Sequence, residues 1–166
     1  MINGNKTLEE SDMKLLKPLS FLPALCMMGL IIWFSSQSAA DSSEVSISFT
    51  QTVLEMIRDL FRLDWPSEKL IQYALLLGHF MRKLAHFTEY FLLAVFCSIP
   101  LYVYHIRSRS QILPITLFCA VFAGFDELHQ CFVPGRAGAF SDVCLDTFGS
   151  FCGSLLIYFT VMIRHS

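Results

Sequence analysis

Long apolar segments alternate with shorter polar ones along this chain. Four of the apolar segments satisfy, or nearly satisfy, the length of about 20 residues that an α-helix needs to cross a bilayer. They lie at residues 19–34, 84–104, 112–133 and 143–163. The pattern predicts an all-α fold: a polytopic membrane bundle of about four transmembrane helices.

The segment between the first two predicted spans is amphipathic. Apolar side chains from Phe49 to Phe61 recur on one helical face, and Thr52 and Asp59 lie on the other. Such a helix lies on the bilayer surface or caps the bundle. A second helical piece at residues 67–80 is predicted to lead into the second span.

The composition agrees with a membrane protein. Of the 166 residues, 54% are hydrophobic and 16% are charged, and the mean hydropathy is +0.54. A soluble domain of this size would carry more polar surface. We therefore predict one membrane domain over residues 1–166 in direct contact with the lipid bilayer. The net charge of −2 gives no basic surface for nucleic acid.

Basic residues near the span ends predict the orientation. Lys14 and Lys17 precede the first span, and the connection after the second span carries Arg107 and Arg109, whereas the one after the third has only Arg136. Cytoplasmic connections are enriched in Lys and Arg. Both termini, including a short tail at about residues 1–17, are therefore predicted to be cytoplasmic in a multi-pass protein of the cell membrane.

The small residues SSQSAA after the first span leave one alternative open. An apolar run followed by such residues also resembles a secretory signal with cleavage after Ala40,. The topology of the remaining spans is the same in either case.

Ionisable side chains cluster at the beginning of the second span, the end of the third and the beginning of the fourth. These three places lie at the same membrane face, which the orientation makes extracytoplasmic. Ionisable groups at membrane depth are costly unless they face one another or water, so they indicate a functional site. We expect one shared polar site there.

The second and third spans supply most of these groups. Arg82, His86 and Glu89 are three or four residues apart, a spacing that places them on one helical face,. On the third span, Asp126, His129 and Gln130 share a face, and Glu127 points to a neighbouring one. Adjacent carboxylates repel when both are ionised, so one of them holds a proton or meets a cation, or the pair binds Arg82 or Arg136 and locks the bundle.

The turn VPGRAGAF joins the third and fourth spans. Arg136 in this turn offers a planar cation suited to phosphate or carboxylate. Asp142 can cap the fourth helix, and Asp146 lies one turn further in, above the GxxxG pair Gly149 and Gly153. A GxxxG pair permits close helix contact, so Asp146 is expected to point into the bundle.

The segments WFSSQS, RKLAHFTEYFLLA and DELHQCFVPGRAGAFSDVCLDTFGS resemble the signature of the VanZ-like family of bacterial membrane proteins. The resemblance covers residues 33–153. The family takes its name from a protein of teicoplanin resistance, which implies a role at the cell envelope. The positions that match the family pattern are His86, Glu89, Asp126, Glu127, His129, Gln130, Arg136, Asp142 and Asp146.

Three classes of function are compatible with these residues. A binding or shielding factor would hold a lipid-linked or glycopeptide-type envelope ligand. An intramembrane enzyme would instead act on a lipid-linked or phosphate-bearing envelope substrate, with His86, Glu89, Asp126, Glu127 and His129 as the candidate proton-handling residues. In either class the candidate ligand-binding residues are Arg82, Gln130, Arg136, Asp142 and Asp146.

A small transporter is the third class, because buried acids and histidines often relay protons. No spacing of residues is diagnostic of a metal site, so no cofactor is predicted. A divalent cation held by carboxylates is the variant that stays open. The sequence does not fix the oligomeric state.

Overall fold

The structure is a computed structural model that describes residues 17–104, 106 and 111–163. The predicted tail before Lys17, together with Lys14, Arg107 and Arg109, lies outside the described residues. Within the described part, the chain forms five α-helices: α1 (Leu22–Ser35, after a 3-10 turn at Lys17–Phe21), α2 (Ala39–Phe61), α3 (Ser67–Val103), α4 (Ile112–Gln130) and α5 (Phe140–Ile163).

Four of these segments are long and apolar enough to cross a membrane. They are Lys17–Ser35, Ser67–Val103, Ile112–Gln130 and Phe140–Thr160. The all-α class, the four spans and the helix between the first and second spans are therefore confirmed. The third span ends at Gln130 rather than at residue 133, because the turn that contains Pro134 begins earlier,.

Helix α3 is longer than a membrane requires. Its 37 residues extend over about 55 Å at about 1.5 Å per residue, against a hydrocarbon core of about 30 Å. The helical piece predicted at residues 67–80 is confirmed, and it continues into the second span without a break, so the two form one helix. No proline interrupts α3 before Pro100, and Gly78 gives room for the side chain of Ile47 on α2.

Helix α2 pairs with the amino-terminal half of α3. Leu54 of α2 is buried against Leu70 and Ala74 of α3. The apolar face predicted for α2 is turned away from this contact, since Phe49 is 57% exposed and Leu60 is 77% exposed. The packing of α2 therefore leaves this face free for lipid.

The centre of the bundle is apolar and joins α1, α3 and α4. Ile31 of α1, Tyr90 and Leu93 of α3, and Cys119 and Ala123 of α4 are all fully buried in one cluster. Lipid tails are as apolar as these side chains, so their burial gains little from leaving lipid. The cluster instead stabilises the bundle through close van der Waals packing.

The closest helix contact is between α3 and α5. A Cβ atom added to Gly149 would lie 2.4 Å from the carbonyl oxygen of Phe87, and one added to Gly153 would lie 2.3 Å from that of Phe91. Both helices advance in the same direction through this contact, so they are parallel. The predicted close approach at the GxxxG pair is confirmed.

We expect Gly149→Ala and Gly153→Ala each to destabilise the protein by about 1–3 kcal/mol, because the new methyl group would press on backbone that cannot move aside. The loss would appear as a lower unfolding temperature of the detergent-purified protein. Gly124→Ala is the matched control, since nothing lies within 4 Å of a Cβ atom there. Equal unfolding temperatures for all three variants would contradict the role of this contact.

Candidate functional site

A cavity of about 160 Å³ lies where α1, α2 and α3 meet the turn before α5. We call it the arginine cavity. The residues that line it are Phe34, Gln37, Ser42, Val45, Ser46, Arg82, Ala85, His86, Glu89 and Arg136. Its volume is well below the range of about 300–1,000 Å³ for pockets that enclose drug-sized ligands. The arginine cavity therefore has room for one small polar group.

Helix α3 presents its part of the cavity on one face. Arg82, His86 and Glu89 all line it, which confirms the helical face predicted from their spacing. This face is about half a turn around α3 from Phe87 and Phe91, the residues that contact α5,. The glycine contact thus directs these polar side chains toward α1 and α2.

Two guanidinium groups dominate the electrostatics of the arginine cavity. Arg82 donates to the hydroxyl of Ser43 and, at 3.5 Å, to the carbonyl oxygen of Ala39. Arg136 donates to the carbonyl oxygen of Phe34 at 3.2 Å. Neither forms an ion pair among the described residues, and the Nε atoms of both are buried without a hydrogen-bond partner.

The two cations also lie close enough to repel each other. Burial lowers the pKa of the Arg136 guanidinium, and the neighbouring charge of Arg82 lowers this pKa further. A guanidinium nevertheless stays protonated in proteins. Nearby acids, among them Glu89 in the same cavity, offset part of the positive charge. Two guanidinium groups whose Nε donors have no partner among the described residues still face one small cavity, a combination that favours an anion with several oxygen acceptors.

His86 and Glu89 lie beside these arginines. The Nδ1 atom of His86 is 3.9 Å from a carboxylate oxygen of Glu89, which is too long for a hydrogen bond. Nδ1 has no other hydrogen-bond partner. The two side chains are therefore not joined by a hydrogen bond.

Asp126 and Gln130 are bound to each other and to the first span. The hydroxyl of Ser35 donates to Asp126 at 2.8 Å, and the amide of Gln130 donates to the same carboxylate oxygen at 3.1 Å. Ser35, Asp126 and Gln130 are all buried. This polar cluster ties the end of α1 to the end of α4 beside the arginine cavity, and the other oxygen of Asp126 has no partner.

Glu127 holds the turn before α5. Its carboxylate accepts a hydrogen bond of 2.8 Å from the backbone N–H of Ala139. Gly138 fits tightly under this turn, since an added Cβ atom would lie 2.5 Å from the carbonyl oxygen of Glu127. Gly135 takes a φ of +74°, a value that favours glycine. These contacts fix the part of the turn that carries Arg136.

Two further predicted site residues bind neighbours outside the cavity. Asp142 accepts a hydrogen bond of 2.5 Å from Lys83, which joins the beginning of α5 to α3. His129 lies 3.2 Å from the hydroxyl of Ser36. Asp142 lies in the first turn of α5 rather than at its cap, because α5 already begins at Phe140.

Asp146 points into the bundle, as expected. It is 0% exposed, and neither of its carboxylate oxygens has a hydrogen-bond partner. Glu127, Asp126 and Asp142 lie within electrostatic range of it. The hydroxyl of Tyr90, on α3, is likewise buried without a partner.

The described residues contain no group of three His, Cys, Asp or Glu side chains arranged to hold a metal ion. The acids of the site are instead distributed over separate contacts. Glu127 binds a backbone N–H, Asp142 binds Lys83, and Asp126 binds Ser35 and Gln130.

Sequence reasoning missed the serine-rich segment after α1. The site includes or borders Ser35, Ser36 and Gln37. The cavity wall also contains two serines of α2, Ser42 and Ser46. The four-residue spacing of the last two was the signal that could have identified them, because it places both hydroxyls on one face of α2. Lys83 was also missed as the partner of Asp142.

We expect Asp126→Val to destabilise the protein by about 1–3 kcal/mol, because Ser35 and Gln130 would keep buried donors without an acceptor,. Asp126→Asn keeps an acceptor oxygen and should lose less. The measurement is the unfolding temperature of the detergent-purified protein. Asp59→Val is the matched control, since the side chain of Asp59 is 69% exposed and its ion pair contributes little. Equal effects at both positions would refute the role of the buried cluster.

Comparison with known proteins identifies the family. Residues 20–162 match the family model described as VanZ/LLP1, so the match includes every predicted site residue. No curated protein and no solved structure matches the chain. Because the family model covers most of the chain, this multi-span membrane protein belongs to the VanZ/LLP1 family.

Proposed function

We propose that this protein binds the anionic group of a ligand of the bacterial cell envelope in the arginine cavity. In this role it is a binding or shielding factor, including in resistance to glycopeptides such as teicoplanin. One observation carries the proposal: Arg82 and Arg136 line a small cavity, and among the described residues their buried Nε donors have no hydrogen-bond partner and neither guanidinium forms an ion pair. A phosphate or carboxylate would supply the missing acceptors.

The size of the cavity limits what is bound. A volume of about 160 Å³ accommodates a headgroup but not a whole glycopeptide antibiotic. The protein would therefore act on the envelope component that such an antibiotic meets, and not on the antibiotic itself. Shielding of that component needs no covalent chemistry.

The proposed binding is tested with detergent-purified protein and inorganic phosphate. Phosphate should raise the unfolding temperature, because a ligand that binds only the folded state stabilises it. Arg82→Gln and Arg136→Gln should each weaken the effect, since a hydrogen bond to a charged group contributes about 1.5–3 kcal/mol. Arg58→Gln is the matched control, because Arg58 pairs with Asp59 outside the cavity.

The same variants test the proposed role in cells. Expression of the wild-type chain and of Arg58→Gln should lower teicoplanin susceptibility, whereas Arg82→Gln and Arg136→Gln should not, at equal abundance in the membrane. Resistance that is independent of both arginines would refute the proposed site. If the two arginine variants alter neither phosphate stabilisation nor retention of an anionic lipid, the proposed binding is wrong.

A hydrolytic enzyme is the second candidate, and one observation favours it. His86 and Glu89 line the same cavity as the arginines, with Nδ1 of His86 unbound and 3.9 Å from Glu89. Such a pair can move protons during attack on a bound phosphate ester. Release of phosphate from a lipid phosphate by the purified protein, assayed with and without divalent ions and lost in Glu89→Gln, would support this class over simple binding.

The proposed function places the arginine cavity at the outer face, with both termini in the cytoplasm. The distribution of basic residues supports this orientation. In intact cells, a membrane-impermeant thiol reagent should modify Ala137→Cys, whose position in the turn is exposed, above the level of the wild-type protein. Modification that requires broken cells would place the cavity in the cytoplasm and contradict the proposed orientation.

A further inference from the structure

The walls and the mouth of the arginine cavity differ in polarity. The serine, glutamine, arginine, histidine and glutamate side chains that line it are all half-buried. The two exposed lining residues are Val45 on α2, at 56% exposed, and Ala85 on α3. Both are apolar. The polar groups of the cavity therefore lie in its half-buried part, beside Phe34, and its two exposed lining residues are apolar.

The mouth continues along an exposed strip of α3, a helix long and apolar enough to cross a membrane. After Ala85, the exposed residues of this strip are Thr88 and Leu92, three and seven residues further on along the same helical face,. On the other side of the mouth, Phe49 extends the apolar surface of Val45. An entrance for a water-soluble anion would instead be framed by polar side chains.

The level of the cavity in the membrane also agrees with an opening toward lipid. About 20 helical residues span the hydrocarbon core, and residues 84–103 supply that length at the carboxyl end of α3. Arg82 and His86 therefore lie close to the level where lipid headgroups meet hydrocarbon. A headgroup at this depth reaches both guanidinium groups while its chains stay in the membrane.

Resting on the proposed function, we infer that the ligand of the arginine cavity is a membrane lipid with a phosphate headgroup, which enters sideways between Val45 and Ala85. Its phosphate would lie between Arg82 and Arg136, and its chains along the strip of Ala85, Thr88 and Leu92 on α3. A free phosphate carries the same anionic group as the lipid headgroup. The apolar mouth would select the lipid over the free anion.

The test compares a lipid with a soluble anion on the full chain. Protein purified in a non-ionic detergent is incubated with phosphatidylglycerol, with phosphatidylcholine as the zwitterionic comparison, and retained lipid is counted by native mass spectrometry. Binding of inorganic phosphate is measured in parallel from its effect on the unfolding temperature. We expect phosphatidylglycerol to be retained preferentially, and this preference to fall in Arg82→Gln.

Ala85→Phe tests the entrance directly. The added ring narrows the mouth, so retention of phosphatidylglycerol should fall by about tenfold, which corresponds to about 1.4 kcal/mol, while phosphate stabilisation persists. Val121→Phe is the matched control, since Val121 is 53% exposed on α4, away from the cavity. It should retain phosphatidylglycerol like the wild type.

The outcomes separate the inference from the proposed function. If phosphate stabilisation depends on the arginines but Ala85→Phe retains phosphatidylglycerol as the wild type does, the ligand is a free anion and the lateral entrance is wrong. If Ala85→Phe binds neither phosphatidylglycerol nor inorganic phosphate, the added ring fills the cavity. Val45→Phe, on the opposite side of the mouth, then tests the entrance. Normal lipid retention in Val45→Phe would then overturn the inference, and selective loss of the lipid would support it.

Discussion

The close contact of α3 with α5 is the constraint on which the rest of the bundle depends. Gly149 and Gly153 bring the backbone of α5 against the carbonyl oxygens of Phe87 and Phe91. In lipid, packing of this kind replaces the hydrophobic effect as the source of helix association. It also fixes the rotation of α3 about its axis, and that rotation decides which side chains face α1 and α2. The glycine contact thus acts together with the packing of α3 against α1, α2 and α4 to direct the face that carries Arg82.

Polar groups inside the bundle differ in whether they have a partner. Three acids form internal contacts: Asp126 with Ser35, Glu127 with the turn, and Asp142 with Lys83. The first and last of these contacts join helices that are far apart in the chain, and a partner in the fold offsets part of the cost of burying an acid. The guanidinium groups around the arginine cavity are different, because their charge is not balanced by an ion pair. That imbalance is the reason we propose a ligand site there and not at the other polar contacts.

The sequence predicted the helices well because membrane spans are determined locally. Length and hydropathy define a span without reference to its neighbours, and helical spacing correctly placed Arg82, His86 and Glu89 on one face. The long helix α3 was harder to predict, since charged residues near Arg82 mark the end of a span but do not end a helix.

The partners of the polar side chains could not be predicted in the same way. Periodicity gives the face of a helix on which a residue lies, but not the height or rotation of the helix opposite. Ser35 is 91 residues from Asp126, and Lys83 is 59 residues from Asp142. The serine-rich segment was also ambiguous, because small polar residues after an apolar run fit a cleavage site as well as a binding wall.

The unbroken course of α3 has a mechanical consequence. Its amino-terminal half packs against α2 near Leu54, and its carboxyl-terminal half packs against α5 at Gly149. With no proline between these two attachments, α3 is one continuous helix that connects the contact with α2 to the contact with α5. A force applied near Trp65, in the connection between α2 and α3, would therefore reach Arg82 along an uninterrupted helix.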